Sequence, residues 1–245
     1  MQRRIKIYGH RGARKYAPEN TIPAFRTALE QGADGFELDT MLSADGVPIV
    51  IHDRSLERTT DGRGLVDRTN SDHLKTLDAG LWFSEGFHGT HIPFLEEVLA
   101  EFGQKTKINI ELKNIHHPFD SLPEMVCQLV KQYNVVEHIL FSSFVPFNLI
   151  RVKKILPEAQ VALLFAPDPM GRLLSTKWFR FLSPHFIHPH FTSCSVRFIE
   201  KQHAMGRIIN TWTVNDEDEL DALIERGIDG IITDDPVLAV KRFSS

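Results

Sequence analysis

Short runs of apolar and β-branched residues alternate with amphipathic helical patterns along this chain from one end to the other, and that alternation constrains the fold more than any other feature. Eight runs stand out, at residues 5–10, 35–41, 107–113, 138–143, 160–165, 185–190, 207–214 and 230–233. Strand, helix and strand in strict succession require a parallel sheet with crossover helices, because parallel neighbours cannot be joined by a tight turn. Eight strands favour closure into an α/β fold of the TIM (β/α)₈ barrel type over an open doubly wound sheet. No GxGxxG follows the first run to support dinucleotide binding. At 245 residues the chain has the length of one such barrel, so a single domain over 1–245 is expected.

Helix signals agree with this reading. Asn20 or Thr21 caps a helix with Ile22, Phe25, Ala28 and Leu29 on one face, ended near Gly32. Pro93 opens another that Gly103 closes, and Asn215 or Asp216 caps a third, with Leu220, Leu223 and Ile224 on one face and Gly227 at its end. Residues 53–92 break the rhythm: they are rich in Gly, Thr, Asp and Arg and hold no crossover helix of normal length. We read them as an insertion after the second barrel strand, preceded by an extra strand at 48–52 that returns from a turn at Asp45-Gly46. An insertion there lies at the carboxyl rim, where barrel enzymes build their sites from loops.

Composition excludes several classes. With 42% hydrophobic and 24% charged residues the chain is neither disordered nor low in complexity. A formal net charge of −4 leaves no basic footprint for nucleic acid, so an anionic ligand must be met by local positive groups. Cys127 and Cys194 carry no CxxC spacing, which argues against a disulfide framework and a thiolate metal site. Neither a signal peptide nor a stable membrane anchor is apparent, so a cytoplasmic location is expected. The sequence leaves a homodimer open.

Chemistry concentrates on a few strand residues. Glu37 and Asp39 are two apart on one expected strand and Glu111 and Lys113 two apart on another, so each pair leaves one face of its strand. Barrel strands are covered on both sides, and four ionisable groups there cost several kcal/mol unless paired, hydrogen-bonded or metal-bound. A structural ion-pair network satisfies that demand. So does a divalent-cation site: Glu37, Asp39 and Glu111 offer hard oxygens suited to Mg²⁺ or Ca²⁺, with Mn²⁺ also compatible, and the absence of clustered Cys or His argues against structural Zn²⁺. His10 ends the first strand and His52 the extra one, and together they are suited to acid–base work near neutrality. Arg11 offers a fork matched to phosphate, and Gly9 and Gly12 serve either a tight turn or close approach of backbone to a ligand.

Beyond these single residues, His10-Arg11-Gly12 followed by Pro18-Glu19-Asn20-Thr21 resembles the opening signature of the glycerophosphodiester phosphodiesterase family. The likeness continues through Gly32 to Asp39, Ile51-His52-Asp53, Leu56 to Gly62 and Asn109 to Lys113. It resumes at Ser142-Ser143-Phe144, Trp212-Thr213-Val214-Asn215 and Gly230 to Pro236. The resemblance implies a barrel that hydrolyses glycerophosphodiesters to sn-glycerol 3-phosphate and an alcohol. It implies His10 and His52 as acid and base, Glu37, Asp39 and Glu111 as metal ligands, and Arg11 and Lys113 on phosphate, with Trp212 at the pocket wall. Rival readings are a phospholipase D-like enzyme releasing headgroups from lysolipids and a barrel that binds phosphorylated metabolites without catalysis. The match is weakest over 166–195, where His185, His188 and His190 lie among aromatic residues; packing or rim placement is expected for them rather than a second metal site.

Overall fold

The computed structural model describes residues 4–243; residues 1–3 and 244–245, the ends of the expected domain, lie outside the described residues. Strand β1 (Lys6–Gly9) pairs in parallel with both β2 (Gly35–Leu42) and the last strand, β9 (Gly230–Thr233), and this double pairing closes the sheet. Between β2 and β9 run β4 (Lys107–Leu112), β5 (Ile139–Ser143), β6 (Gln160–Phe165), β7 (Phe186–Pro189) and β8 (Ile208–Thr211), each parallel to its neighbours. The eight form a closed TIM-type barrel. The remaining strand, β3 (Pro48–Val50), is antiparallel to the end of β2, so the extra strand returns as the turn at Asp45-Gly46 requires.

Nine helices are described: α1 (Ile22–Glu30), the short α2 (Ser71–Leu74), α3 (Leu95–Phe102), α4 (Leu122–Gln132), α5 (Pro146–Ile155), α6 (Pro169–Leu174), α7 (Val196–Ala204), α8 (Glu217–Glu225) and α9 (Pro236–Phe243). Of the alternative caps, Thr21 serves α1 by accepting from the Ala24 N–H, and Asp216 serves α8 by accepting from Asp218 and Glu219. The neighbouring Asn20 and Asn215 are thereby free for other work. Pro93 does not open α3. Its carbonyl accepts from the Val50 N–H, which ties it to β3 in an extended stretch, and the helix starts two residues later, with the Glu97 carboxylate accepting from Phe94.

Strand period decides what faces where. Phe36 and Leu38 of β2 and Ile108, Ile110 and Leu112 of β4 join Phe25 of α1 and Leu95, Val98, Leu99 and Phe102 of α3 in one buried cluster between sheet and helices. Phe25 stacks on Phe36 with ring centroids 4.3 Å apart, and Phe102 meets both edge-on. The alternate residues, Glu37, Asp39, Asn109 and Glu111, are therefore turned to the barrel interior. Residues 53–92 carry α2 and a separate cluster that includes Leu56, Val66, Leu74, Leu77 and Ile92 with Ile49 and Ile51, which seats the segment over the carboxyl ends of β2 and β3. Among the described residues, no helix is long and apolar enough to cross a membrane.

Phe102 lies far from the mouth residues in role but holds α1, β2 and α3 together. Phe102→Ala is expected to cost about 3–5 kcal/mol, read as a lower urea midpoint at unchanged m-value, with the mouth chemistry preserved.

Candidate active site

At the carboxyl end of the barrel, β2 and β4 are in a register that sets Glu37 beside Asn109 and Asp39 beside Glu111. Glu37, Asp39 and Glu111 each place a carboxylate oxygen within 4.8 Å of the others, the one such group of three possible metal ligands found among the described residues. Lys113, just past β4, donates to Glu111 at 3.3 Å and lies 3.6 Å from Asp39. Burial raises the Glu37 carboxyl well above its ordinary range, and neighbouring Asp39 and Glu111 add to the effect. Burial likewise raises Glu111, to about 7, against the pull of Lys113. Asp39 goes the other way: the Arg11 and Lys113 charges outweigh its burial and hold it well below the usual range.

The loop after β1 supplies the opposing wall. Arg11 adopts φ 53° and Asn20 φ 58°, both left-handed, a conformation that a non-glycine residue holds only when its surroundings fix it. The Arg11 N–H donates to Glu37 at 3.0 Å, and its carbonyl accepts from Asn20. Arg11 Nη1 donates to Glu19 at 2.8 Å, while Nε stands 3.1 Å from Asp39 without the alignment of a hydrogen bond. Asn20 clasps Asp39 from both sides, donating Nδ2 to its carboxylate and accepting its N–H. Gly12 lies at φ 82°, where an added Cβ would fall 2.5 Å from the Ala24 backbone. Its role is therefore a tight turn packed on α1 rather than approach to a ligand.

Two histidines face the pocket between these walls, and each has an aspartate behind it. His10 Nδ1 lies 2.6 Å from Asp234, and His52 Nδ1 lies 2.5 Å from Asp53. With Nδ1–H donated to a carboxylate, Nε2 is left as the ring nitrogen available to the pocket on both rings. Burial lowers the pKa of both: at His10 it outweighs the bond to Asp234, and at His52 it outweighs the nearby Asp39. Asp234 is itself held by Asn215, which donates to its carboxylate at 2.8 Å and accepts its N–H. Arg58 ties Asp53 to Glu19. Glu19 also receives Arg14 and, drawn down by its bonds to Arg58 and Arg11 against its own burial, has a pKa of about 2.

His10, Arg11, Glu37, His52, Glu111, Lys113 and Trp212 all line one cavity of about 110 Å³. Asp39 lies just beneath it, almost fully buried. Trp212 meets Phe144 edge-on at 5.5 Å and donates its indole N–H to the His188 carbonyl, so it forms a fixed wall. A larger cavity of about 820 Å³ is lined by Arg4, Ile7, Gly32 and Asp229 and contains none of these residues, so size does not mark the site. Nor do the histidines of 185–190 form one. His188 is buried with its pKa pushed down to about 3, accepting from Asn210; His190 packs on Phe191 and Trp212, and His185 is exposed.

Glu19, Asp53, Arg58 and Asp234 had no role in the sequence reading, and Asn20 and Asn215 stood there only as alternative helix caps, although all six stand in its motifs. All but Asp53, which bonds its neighbour His52, act on a partner distant in the chain, and loop residues carry no periodicity that would reveal it.

The pattern of the glycerophosphoryl diester phosphodiesterase family matches residues 10–238. The chain belongs to that family. It is 38% identical over 234 residues to a glycerophosphodiester phosphodiesterase of Caldanaerobacter subterraneus subsp. tengcongensis, covering 94% of each chain. To one of Bacillus altitudinis it is 36% identical over 245 residues, covering 96% of this chain and 97% of the other. Among solved structures, the glycerophosphodiester phosphodiesterase of Agrobacterium tumefaciens superposes with a TM-score of 0.84 at 32% identity, over 97% of this chain and 99% of that one. A phosphodiesterase of Oleispira antarctica in complex with the product sn-glycerol-3-phosphate superposes with a TM-score of 0.86 at 31% identity, over 98% and 97%. Hydrolysis of glycerophosphodiesters is the activity that goes with this family membership.

The Asp234 carboxylate opposes the drop in the His10 pKa, so its loss removes a stabiliser of the imidazolium. Asp234→Asn should move the His10 titration further below its ordinary value of 6.5, followed by NMR of the ring nitrogens. An unmoved titration would show that the pair is electrostatically idle.

Proposed function

We propose that this enzyme cleaves glycerophosphodiesters to sn-glycerol 3-phosphate and an alcohol by histidine acid–base chemistry beside a divalent cation, within one catalytic unit whose segment 53–92 is an insertion. The single observation that carries the reading is the convergence of three carboxylates, Lys113 and two aspartate-backed imidazoles on one cavity. The donor set fits a hard cation. All three ligands are carboxylates, they are drawn together against their own repulsion, and Arg11 and Lys113 are the only cationic side chains among the described residues that pair directly with them. Glu37, Asp39 and Glu111 would hold Mg²⁺, Ca²⁺ or Mn²⁺, which supplies charge to the non-bridging phosphate oxygens.

The residues of the chain divide the remaining work. Lys113 and Arg11 bring positive charge to the phosphate, Lys113 from the edge of the carboxylate group and Arg11 from the wall formed by the loop after β1. The flat wall of Trp212 and Phe144 confines the glycerol arm. One imidazole, neutral, takes the proton of the nucleophile at Nε2 while the other, as imidazolium, gives its Nε2 proton to the departing oxygen, and Asp234 and Asp53 hold each ring in place through Nδ1–H. The product found in the Oleispira antarctica structure, sn-glycerol-3-phosphate, supports the choice of substrate.

His10→Ala and His52→Ala are each expected to lower kcat for glycerophosphocholine by roughly 10²–10⁴, with the fold intact by circular dichroism. Near-normal turnover in either would remove that histidine from the mechanism. Preference for lysophosphatidylcholine over glycerophosphocholine would favour headgroup release from lysolipids instead.

The raised acids also make a stability statement. A carboxyl whose folded pKa is about 7 against 4.5 unfolded binds more protons in the folded state, so its contribution is fully present below pH 4.5 and is lost as pH rises through 7. In chelator, the stability owed to Glu111 and Glu37 should therefore decline between about pH 4.5 and 7. Millimolar Mg²⁺, Ca²⁺ or Mn²⁺ at pH 7.5 should raise Tm and release protons into weakly buffered solution. Metal-independent Tm and activity would exclude the cation.

A further inference from the structure

Next to the catalytic pocket, with His52 and Lys113 in the lining of both, lies a second cavity of about 620 Å³ framed by the β2–β3 hairpin, the start of the insertion and the loop after β4. The two cavities share His52 and Lys113 but not His10, Trp212 or Phe144. A phosphodiester with its phosphorus beside Lys113 thus has one ester arm against the Trp212 wall and the other in this second cavity. Resting on the function proposed above, the glycerol arm is small and common to all substrates and suits the confined side, so the variable alcohol falls in the roomy one.

The lining of that cavity says what kind of alcohol. Met41, Leu42, Ala44 and Ile115 give it apolar contact surface. Its carboxylates are not equally neutralised. Asp53 is paired with Arg58 and His52, and Asp67 is locked to Arg54 and His117 through one oxygen. Asp120 is different: its Oδ1 accepts from two amides, the Asn114 side chain at 2.7 Å and the Leu122 N–H at 3.0 Å, and no cationic side chain among the described residues pairs with its carboxylate, since Arg151 is paired with Glu124 and reaches only the Asp120 backbone carbonyl. Amide donors satisfy an oxygen without cancelling its charge. Half-buried beside apolar walls, that charge favours a cation that also presents hydrocarbon.

We propose that this cavity is the leaving-group subsite and that it selects ammonium-bearing alcohols, with Asp120 as the specificity-determining residue. A neutral polyol would leave the carboxylate uncompensated, and an anionic alcohol would be repelled.

The test compares kcat/KM for glycerophosphocholine and glycerophosphoethanolamine with that for glycerophosphoglycerol, using the full chain with Mg²⁺ or Ca²⁺. The wild-type protein should prefer the two ammonium esters by about ten-fold or more. Asp120→Asn keeps an oxygen to accept from Asn114 and Leu122 and removes only the charge. It should lower kcat/KM for the ammonium esters roughly five- to thirty-fold, mainly through KM, and leave glycerophosphoglycerol within two-fold. Equal use of the three esters by the wild type, or an equal loss on all three in the variant, would overturn the subsite while leaving the diesterase reading intact. Failure to cleave any of them would overturn both.

Discussion

Everything at the mouth of this barrel answers to the crowding of Glu37, Asp39 and Glu111 within 4.8 Å of one another. Strand geometry forces the crowding: residues two apart share a face, and the β2–β4 register brings Asp39 level with Glu111. Uncompensated, such a group would oppose folding, since buried like charges raise one another's proton affinity rather than ionise together. The structure meets the demand unevenly. Asp39 has Arg11, Lys113 and both ends of the Asn20 amide and stays ionised, whereas Glu37 and Glu111 are left with raised affinity for a positive charge. A site that holds protons this readily in the absence of a cation is one that a cation can fill.

The same balance organises the histidines. Glu19 gathers Arg11, Arg14 and Arg58 around one buried carboxylate. Arg58 runs on to Asp53 behind His52, and Arg14 comes within 3.9 Å of Asp234 behind His10. One side chain from the first loop therefore links the supports of both imidazoles and the arginine under the carboxylates. The segment 53–92 is part of this arrangement because it supplies Asp53 and Arg58 behind His52, and its own small cluster around Leu56 and Leu74 gives those residues a rigid base.

Much of the fold was legible because its signals are local. Eight apolar runs and the turn at Asp45-Gly46 depend on neighbours a few residues away and stand in the structure where the pattern put them, and the structure chose Thr21 and Asp216 from the two pairs of caps the pattern offered. Pro93 misled because a long-range bond from Val50 to its carbonyl overrode its preference for a first helical turn. At the mouth, the paired acids of β2 and β4 announced themselves by charge on strands that should be apolar. Glu19 and Asp234 did not, since a charged loop residue is ordinary until its partner is known.

The sequence alone determined the class of fold, the strands that bear the acids and the face those acids share, because hydrophobic period and the alternation of strand side chains are properties of short segments. Only the tertiary structure decided that the two faces meet and that proton affinity is lowered at Asp39 and raised at Glu37 and Glu111. It also decided that His10 is held by an aspartate from the far end of the chain and that, among the described residues, no cationic side chain pairs with the Asp120 carboxylate. Those outcomes depend on distances between residues up to 224 positions apart. Electrostatic interaction is set by separation in space and by burial, and neither is written in the order of the residues.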